Sequence, residues 1–142
     1  MINKEMRRKI FNGKKERIDK NGKITQKGFK KSTTFEMFEE WFHNSNFEKG
    51  CYYCGITNSE SNILFELQQS GKRNNATRGG KRGRRLELER KNPSKPYDEL
   101  ENLVWCCYWC NNAKSNFFTE EEFIPIAEKI GKALKKIIED NG

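Results

Sequence analysis

Residues 86–116 decide the fold: Leu86-Glu87-Leu88-Glu89-Arg90, a stretch with Pro93 and Pro96, Asn102-Leu103-Val104-Trp105, then Cys106-Cys107-Tyr108-Trp109-Cys110-Asn111-Asn112-Ala113-Lys114-Ser115-Asn116. Leu86 to Glu89 alternates apolar and acidic residues with period two, the pattern of a strand with one face inward. The prolines mark a turn. Leu103-Val104-Trp105 reads as a second short strand, and Cys107 opens a helix through Lys114. Strand, turn, strand, helix predicts an α+β fold.

Cys51-Tyr52-Tyr53-Cys54-Gly55 supplies a second Cys-x-x-Cys pair, with 52 residues between Cys54 and Cys107. Two such knuckles bring four sulfurs to one ion, so Cys51, Cys54, Cys107 and Cys110 are expected to bind structural Zn²⁺ tetrahedrally. The rival readings are two unrelated pairs or a redox dithiol. Cys106 could stand in for Cys107, but only Cys107 keeps the two-residue spacing to Cys110. A closed four-thiolate shell leaves no open position, so chemistry must lie elsewhere.

Composition points to something other than apolar burial at the centre. The chain has 142 residues, 34% hydrophobic and 34% charged, against roughly 45–50% apolar and a quarter charged in ordinary domains. Leu, Ile, Val and Phe together number 29, so a large apolar core is not expected. The net charge of +8 favours a polyanionic partner, because neutralising phosphates releases counterions. No apolar run approaches the ~18 residues that span a bilayer, and no secretory leader is visible, so a cytoplasmic protein of a bacterial or phage-infected cell is expected.

Residues 1–32 hold twelve basic and three acidic residues, with turn signals at Asn12-Gly13 and Asn21-Gly22. They read as a basic N-terminal arm, with residues 33–142 as the folded domain. Phe35, Phe38, Trp41 and Phe42 predict an amphipathic helix capped by Thr33 or Thr34, and a further helix follows from Ser59 through Leu67. Thr119 with Glu122 resembles a capping box before a stripe of Phe123, Ile126, Ala127, Ile130, Leu134 and Ile137. Pro125 implies a kink or a start at Ile124.

The ordered set Leu-Glu-Leu-Glu-Arg, Tyr97, Asn102-Leu-Val and Cys-x-x-Cys-Asn-x-x-Lys-Ser-Asn resembles the HNH (ββα-metal) nuclease family. With Cys51-Tyr-Tyr-Cys-Gly-Ile and the aromatic helix before it, it is similar to the small zinc-containing phage and restriction-type branch, over about residues 33–125. The resemblance implies a ββα-metal core with flanking helices. It also implies a catalytic Mg²⁺ or Mn²⁺ held by Glu89, in place of the family's Asp, and by Asn111. Asn102 would brace the loop between the strands, and Lys114 would lie near backbone phosphate. Arg90 stands where most members carry a His general base. An Arg cannot take a proton at neutral pH, so Arg90 would hold the scissile phosphate instead.

The base itself is left open. His43 is the sole histidine and lies off the motif; Tyr52, Tyr53 and Tyr108 are other candidates. Glu87 shares the strand face of Glu89 and could ligate metal, order a water or simply solvate that face. Taken singly, Glu89, Asn111, Asn102 and Lys114 are ordinary surface, cap and turn residues; only their joint occurrence points to a site.

The expected function is metal-dependent hydrolysis of double-stranded DNA. Segments 1–31 and 72–91 would grip the backbone, and Arg73, Arg78, Arg82, Arg84 and Arg85 would be placed to read guanine edges. One short ββα site cuts one strand, so a homodimer cutting a palindrome is expected, with a homing or phage nicking enzyme as the alternative. A zinc-stabilised DNA-binding module without catalysis is the rival from another class.

Overall fold

The computed structural model describes residues 1–71 and 82–142. Its elements run α1 (Lys4–Gly13), β1 (Arg17–Ile18), β2 (Ile24–Gln26), α2 (Phe35–His43), α3 (Asn58–Gln69), β3 (Glu87–Arg90), β4 (Leu103–Cys106), α4 (Tyr108–Lys114) and α5 (Glu120–Asp140), with 3-10 turns at Phe47–Lys49 and Leu100–Asn102. β1 pairs with β2 and β3 with β4 in two separate sheets. The class is α+β. The described residues gather into two compact units, Met1–Asn46 with Arg90–Leu103 and Phe47–Glu89 with Val104–Gly142. The composition boundary at 32/33 falls inside the first of these.

In that first unit, residues 1–32 form packed structure where the sequence suggested an arm. Asn3 caps α1 by accepting from the Met6 N–H at 2.8 Å, and the helix buries Arg7, Ile10 and Phe11. Phe11 stacks on Phe29 with ring centroids 5.1 Å apart and meets Phe38 at 5.5 Å. The apolar stripe of α1 is hard to read because a cation stands in it. Arg7 donates from Nε to Glu39 at 2.8 Å and lies over the Phe42 ring, so a paired charge occupies a core position. Asn21-Gly22 turns the β1–β2 hairpin, where the Asp19 carboxylate accepts from the Asn21 and Lys23 N–H groups and Gly22 takes φ +82. Thr34 caps α2 as expected. Asp98 accepts from the Lys30 N–H and the Thr33 hydroxyl, and Tyr97 meets Phe29 edge-on.

The second unit is built around Trp105, Phe47, Tyr53, Ile56 and Phe123, all buried. α3 opens on a capping box made by Thr57 and Glu60. Its polar face then works for β3. Ser61 donates to the Gly83 carbonyl, Asn62 donates to the Arg84 carbonyl at 3.2 Å, and Asn58 accepts from the Leu86 N–H at 3.0 Å. Three side chains of one helix therefore hold the segment that enters β3.

Thr119 and Glu122 do form a capping box, and α5 starts at Glu120, four residues before Ile124. Both reciprocal cap bonds form there, and the helix runs on through Pro125, which removes one backbone bond. The buried stripe is Phe123, Ala127, Gly131 and Leu134; Ile126, expected in it, is exposed. Gly131 brings α5 against the first knuckle: a Cβ there would lie 2.7 Å from the Cys54 carbonyl oxygen and 3.2 Å from the Cys54 Cβ. Gly131→Ala is thus expected to destabilise by about 1–3 kcal/mol through overpacking, although alanine is the better helix former. Urea unfolding followed by far-UV circular dichroism measures it. No helix among the described residues is long and apolar enough to cross a membrane.

Candidate metal centre and catalytic site

Two turns aim four sulfurs at one point. In the first knuckle the Cys51 N–H donates to the Ile56 carbonyl at 2.7 Å and the Gly55 N–H to the Cys51 carbonyl at 2.9 Å, with Gly55 at φ +78. Gly50 precedes it at φ +84, where a Cβ would strike the Ile56 carbonyl at 2.4 Å. The Tyr52 N–H donates to the Trp105 carbonyl at 2.8 Å, tying the knuckle to β4. In the second knuckle Cys107 is the N-cap of α4, and its sulfur accepts from the Cys110 N–H.

The ligand atoms of Cys51, Cys54, Cys107 and Cys110 lie within 4.8 Å of one another, and the Cys54 and Cys107 sulfurs are 3.7 Å apart. Tetrahedral bonds of about 2.3 Å place sulfurs about 3.8 Å apart, so one metal ion fits. Cys106 falls outside the quartet and donates to the Cys107 carbonyl, which settles the choice between neighbours. Hydrogen bonds from Cys106, Cys107, Cys110 and Cys54 drive the Cys51 thiol far down. Bonds from Cys107, Cys51 and Cys54 push Cys110 up. Four crowded sulfurs cannot all ionise alone; a cation relieves that repulsion.

The catalytic candidates sit beside this quartet. Asn111, directly after Cys110, donates from Nδ2 to Glu87 Oε1 at 3.0 Å. Glu87 and Glu89 share one face of β3, since strand residues two apart point the same way. Tyr53 is raised by burial first, and Arg82 by its hydrogen bond to Glu87 first; the negative charge of Glu89 adds to both shifts. The helix amide and the acidic strand face therefore converge. Hard oxygens of this kind suit a divalent cation that keeps several waters.

Arg90 and Asn102 belong to the first unit. Asn102 is buried; its Oδ1 accepts from the Asn92 N–H and its Nδ2 donates to the Asn92 carbonyl, both at 3.0 Å. One amide thus closes the loop between β3 and β4. Arg90 donates from Nη1 to the Lys95 carbonyl at 3.1 Å, with its guanidinium 4.5 Å from the centre of the Tyr97 ring.

Other expectations change. Lys114 is completely buried, its Nζ 5.8 Å from the centre of the Tyr53 ring, so it offers no surface to a phosphate. The sequence misplaced it because a lysine near a helix end normally faces water. Arg82 is engaged by Glu87, Arg84 lies over the Phe65 ring, and Arg85 donates to the Leu86 carbonyl. Arg73 and Arg78 lie outside the described residues.

Tyr53 is pushed well above the usual phenol range, by burial first and then by the charges of Cys106, Glu89 and Glu120, so it holds its proton. Tyr52 is raised by its hydrogen bond to Glu120. Neither tyrosine serves as a base at neutral pH. His43 is exposed at the end of α2, 3.7 Å from Glu39. Sequence reasoning did not find the Arg82–Glu87 pair, which bridges a bend and leaves no periodic signal.

No protein-family model and no curated protein sequence matches the chain. Among solved structures it is similar to PacI, a rare-cutting HNH restriction endonuclease, with 26% identity and a TM-score of 0.51 over 72% of this chain. The fold is HNH-like. The match spans 64% of the PacI chain.

Proposed function

We propose that the protein is a metal-dependent DNA endonuclease of the HNH type, with zinc in the four-cysteine centre and Mg²⁺ or Mn²⁺ at Glu89 and Asn111. The observation that carries the reading is the Asn111–Glu87 hydrogen bond, which joins the helix amide to the acidic strand face next to the cysteines. Likeness to PacI supports it. A bound divalent cation supplies Lewis-acid polarisation of the phosphate. Glu89 and Asn111 Oδ1 offer it oxygen ligands, and Arg90 takes a non-bridging phosphate oxygen and its developing charge. Water would add to phosphorus, losing a proton to solvent, as the bond to the 3′-oxygen breaks and that oxygen takes up a proton from solvent. A restriction-type homodimer cutting both strands of a palindrome is the arrangement we favour.

Backbone affinity resides largely in the first unit, which holds fifteen basic and nine acidic residues. There a cleft of about 590 Å³ is lined by Arg8, Lys15, Lys30 and Lys31, against Glu16 and Glu36. The double variant Lys30→Ala/Lys31→Ala is expected to weaken DNA binding uniformly across sequences. It should also reduce the salt slope by about 1 for each phosphate no longer neutralised. Fluorescence anisotropy from low to moderate salt reads this.

Plasmid incubated with the full chain tests the function. Conversion of supercoiled DNA to nicked or linear form with Mg²⁺ or Mn²⁺, but not with EDTA, supports the enzyme. A gel shift without cleavage in either metal identifies the non-catalytic module instead.

A further inference from the structure

We infer that Arg82 and Glu87 are a positioning pair that orients the Asn111 amide, presenting its oxygen to the cation. The inference rests on the metal-site reading above. An asparagine side chain has a donor end and an acceptor end of nearly equal shape, and its partners decide which way it points. An ionised carboxylate only accepts, so the Nδ2 of Asn111 must face Glu87 at 3.0 Å. Oδ1 is thereby turned away from Glu87.

Glu87 is itself fixed. Its Oε1 takes Arg82 Nη2 at 2.6 Å as well as Asn111, and its Oε2 takes Arg82 Nε at 3.2 Å. That is the bidentate fork an Arg forms with a carboxylate and a Lys cannot. The Arg82 guanidinium lies 4.6 Å from the centre of the Tyr108 ring. Tyr108 and Asn111 both belong to α4, so the pair locks strand to helix. Three of roughly four acceptor positions on Glu87 are filled. Glu87 therefore acts through Asn111, while Glu89, on the same face, remains the carboxylate ligand. Arg82 orients the site instead of reading a base.

The test uses the zinc-loaded full chain and Mn²⁺ binding followed by electron paramagnetic resonance, with zinc content and circular dichroism confirming the fold. Glu87→Ala and Arg82→Ala are each expected to weaken Mn²⁺ binding by about ten- to a hundredfold. The double variant is expected to be no weaker than Glu87→Ala alone, because Arg82 acts through Glu87. Glu87→Gln, which keeps an oxygen toward Asn111, should retain more affinity than Glu87→Ala. Arg82→Lys should not restore it. Cleavage positions on a long DNA should be the same for Arg82→Ala as for the parent.

Parent-like Mn²⁺ affinity in Glu87→Ala overturns the inference, as does an additive double variant. Shifted cut positions in Arg82→Ala with Mn²⁺ affinity intact would make Arg82 a base reader. If Glu89→Ala binds Mn²⁺ like the parent, the metal-site reading itself fails.

Discussion

Stripping the metal from the four cysteines is expected to unfold the second unit. A structural zinc contributes roughly 10–16 kcal/mol to folding, against a total stability of roughly 5–15 kcal/mol for a typical domain. Removing the larger quantity leaves nothing in reserve. The apolar inventory cannot compensate: 34% of residues are hydrophobic, and the buried centre of the unit includes Cys51, Cys107 and Cys110 themselves. Cys54→Ser and Cys107→Ser are expected to behave like the chelated protein. Far-UV circular dichroism during a chelator titration reads the loss of α3, α4 and α5, and it should coincide with zinc release. A helical signal that survives complete zinc removal contradicts the expectation.

The second large effect concerns catalysis. Glu89→Ala and Asn111→Ala are each expected to lower the single-turnover cleavage rate by about a thousandfold or more, equivalent to roughly 4 kcal/mol of transition-state stabilisation. DNA binding, measured by gel shift, should change by no more than a few fold, because backbone affinity comes from the cationic surface. Glu89→Asp, one methylene shorter, should keep measurable activity with Mn²⁺. Cleavage that persists in Glu89→Ala assigns the chemistry to another group.

Much of this is legible in the sequence itself. Period-two alternation located β3, and Cys-x-x-Cys spacing selected Cys107 over Cys106. The Thr34 and Thr119 caps marked the starts of α2 and α5. These signals are local, and local physics sets them. What the sequence hid is long-range. α1 was obscured because Arg7 occupies a core position through its pairing with Glu39, 32 residues away. Lys114 reads as a surface cation, yet it is packed beneath Tyr53. Asn102 meets the backbone of Asn92 across the loop; no periodicity encodes that partnership, and only the family resemblance implied a brace at this position. Arg82 reads as one more member of a basic segment until its carboxylate partner is seen.

The most direct measurement is anomalous diffraction from crystals of the zinc-loaded protein soaked in Mn²⁺, collected at both absorption edges. A zinc peak should stand among Cys51, Cys54, Cys107 and Cys110, and a manganese peak should contact the Glu89 carboxylate and Asn111 Oδ1. Manganese bound elsewhere, or the side chains of residues 89 and 111 turned to separate surfaces, removes the proposed chemistry from this protein.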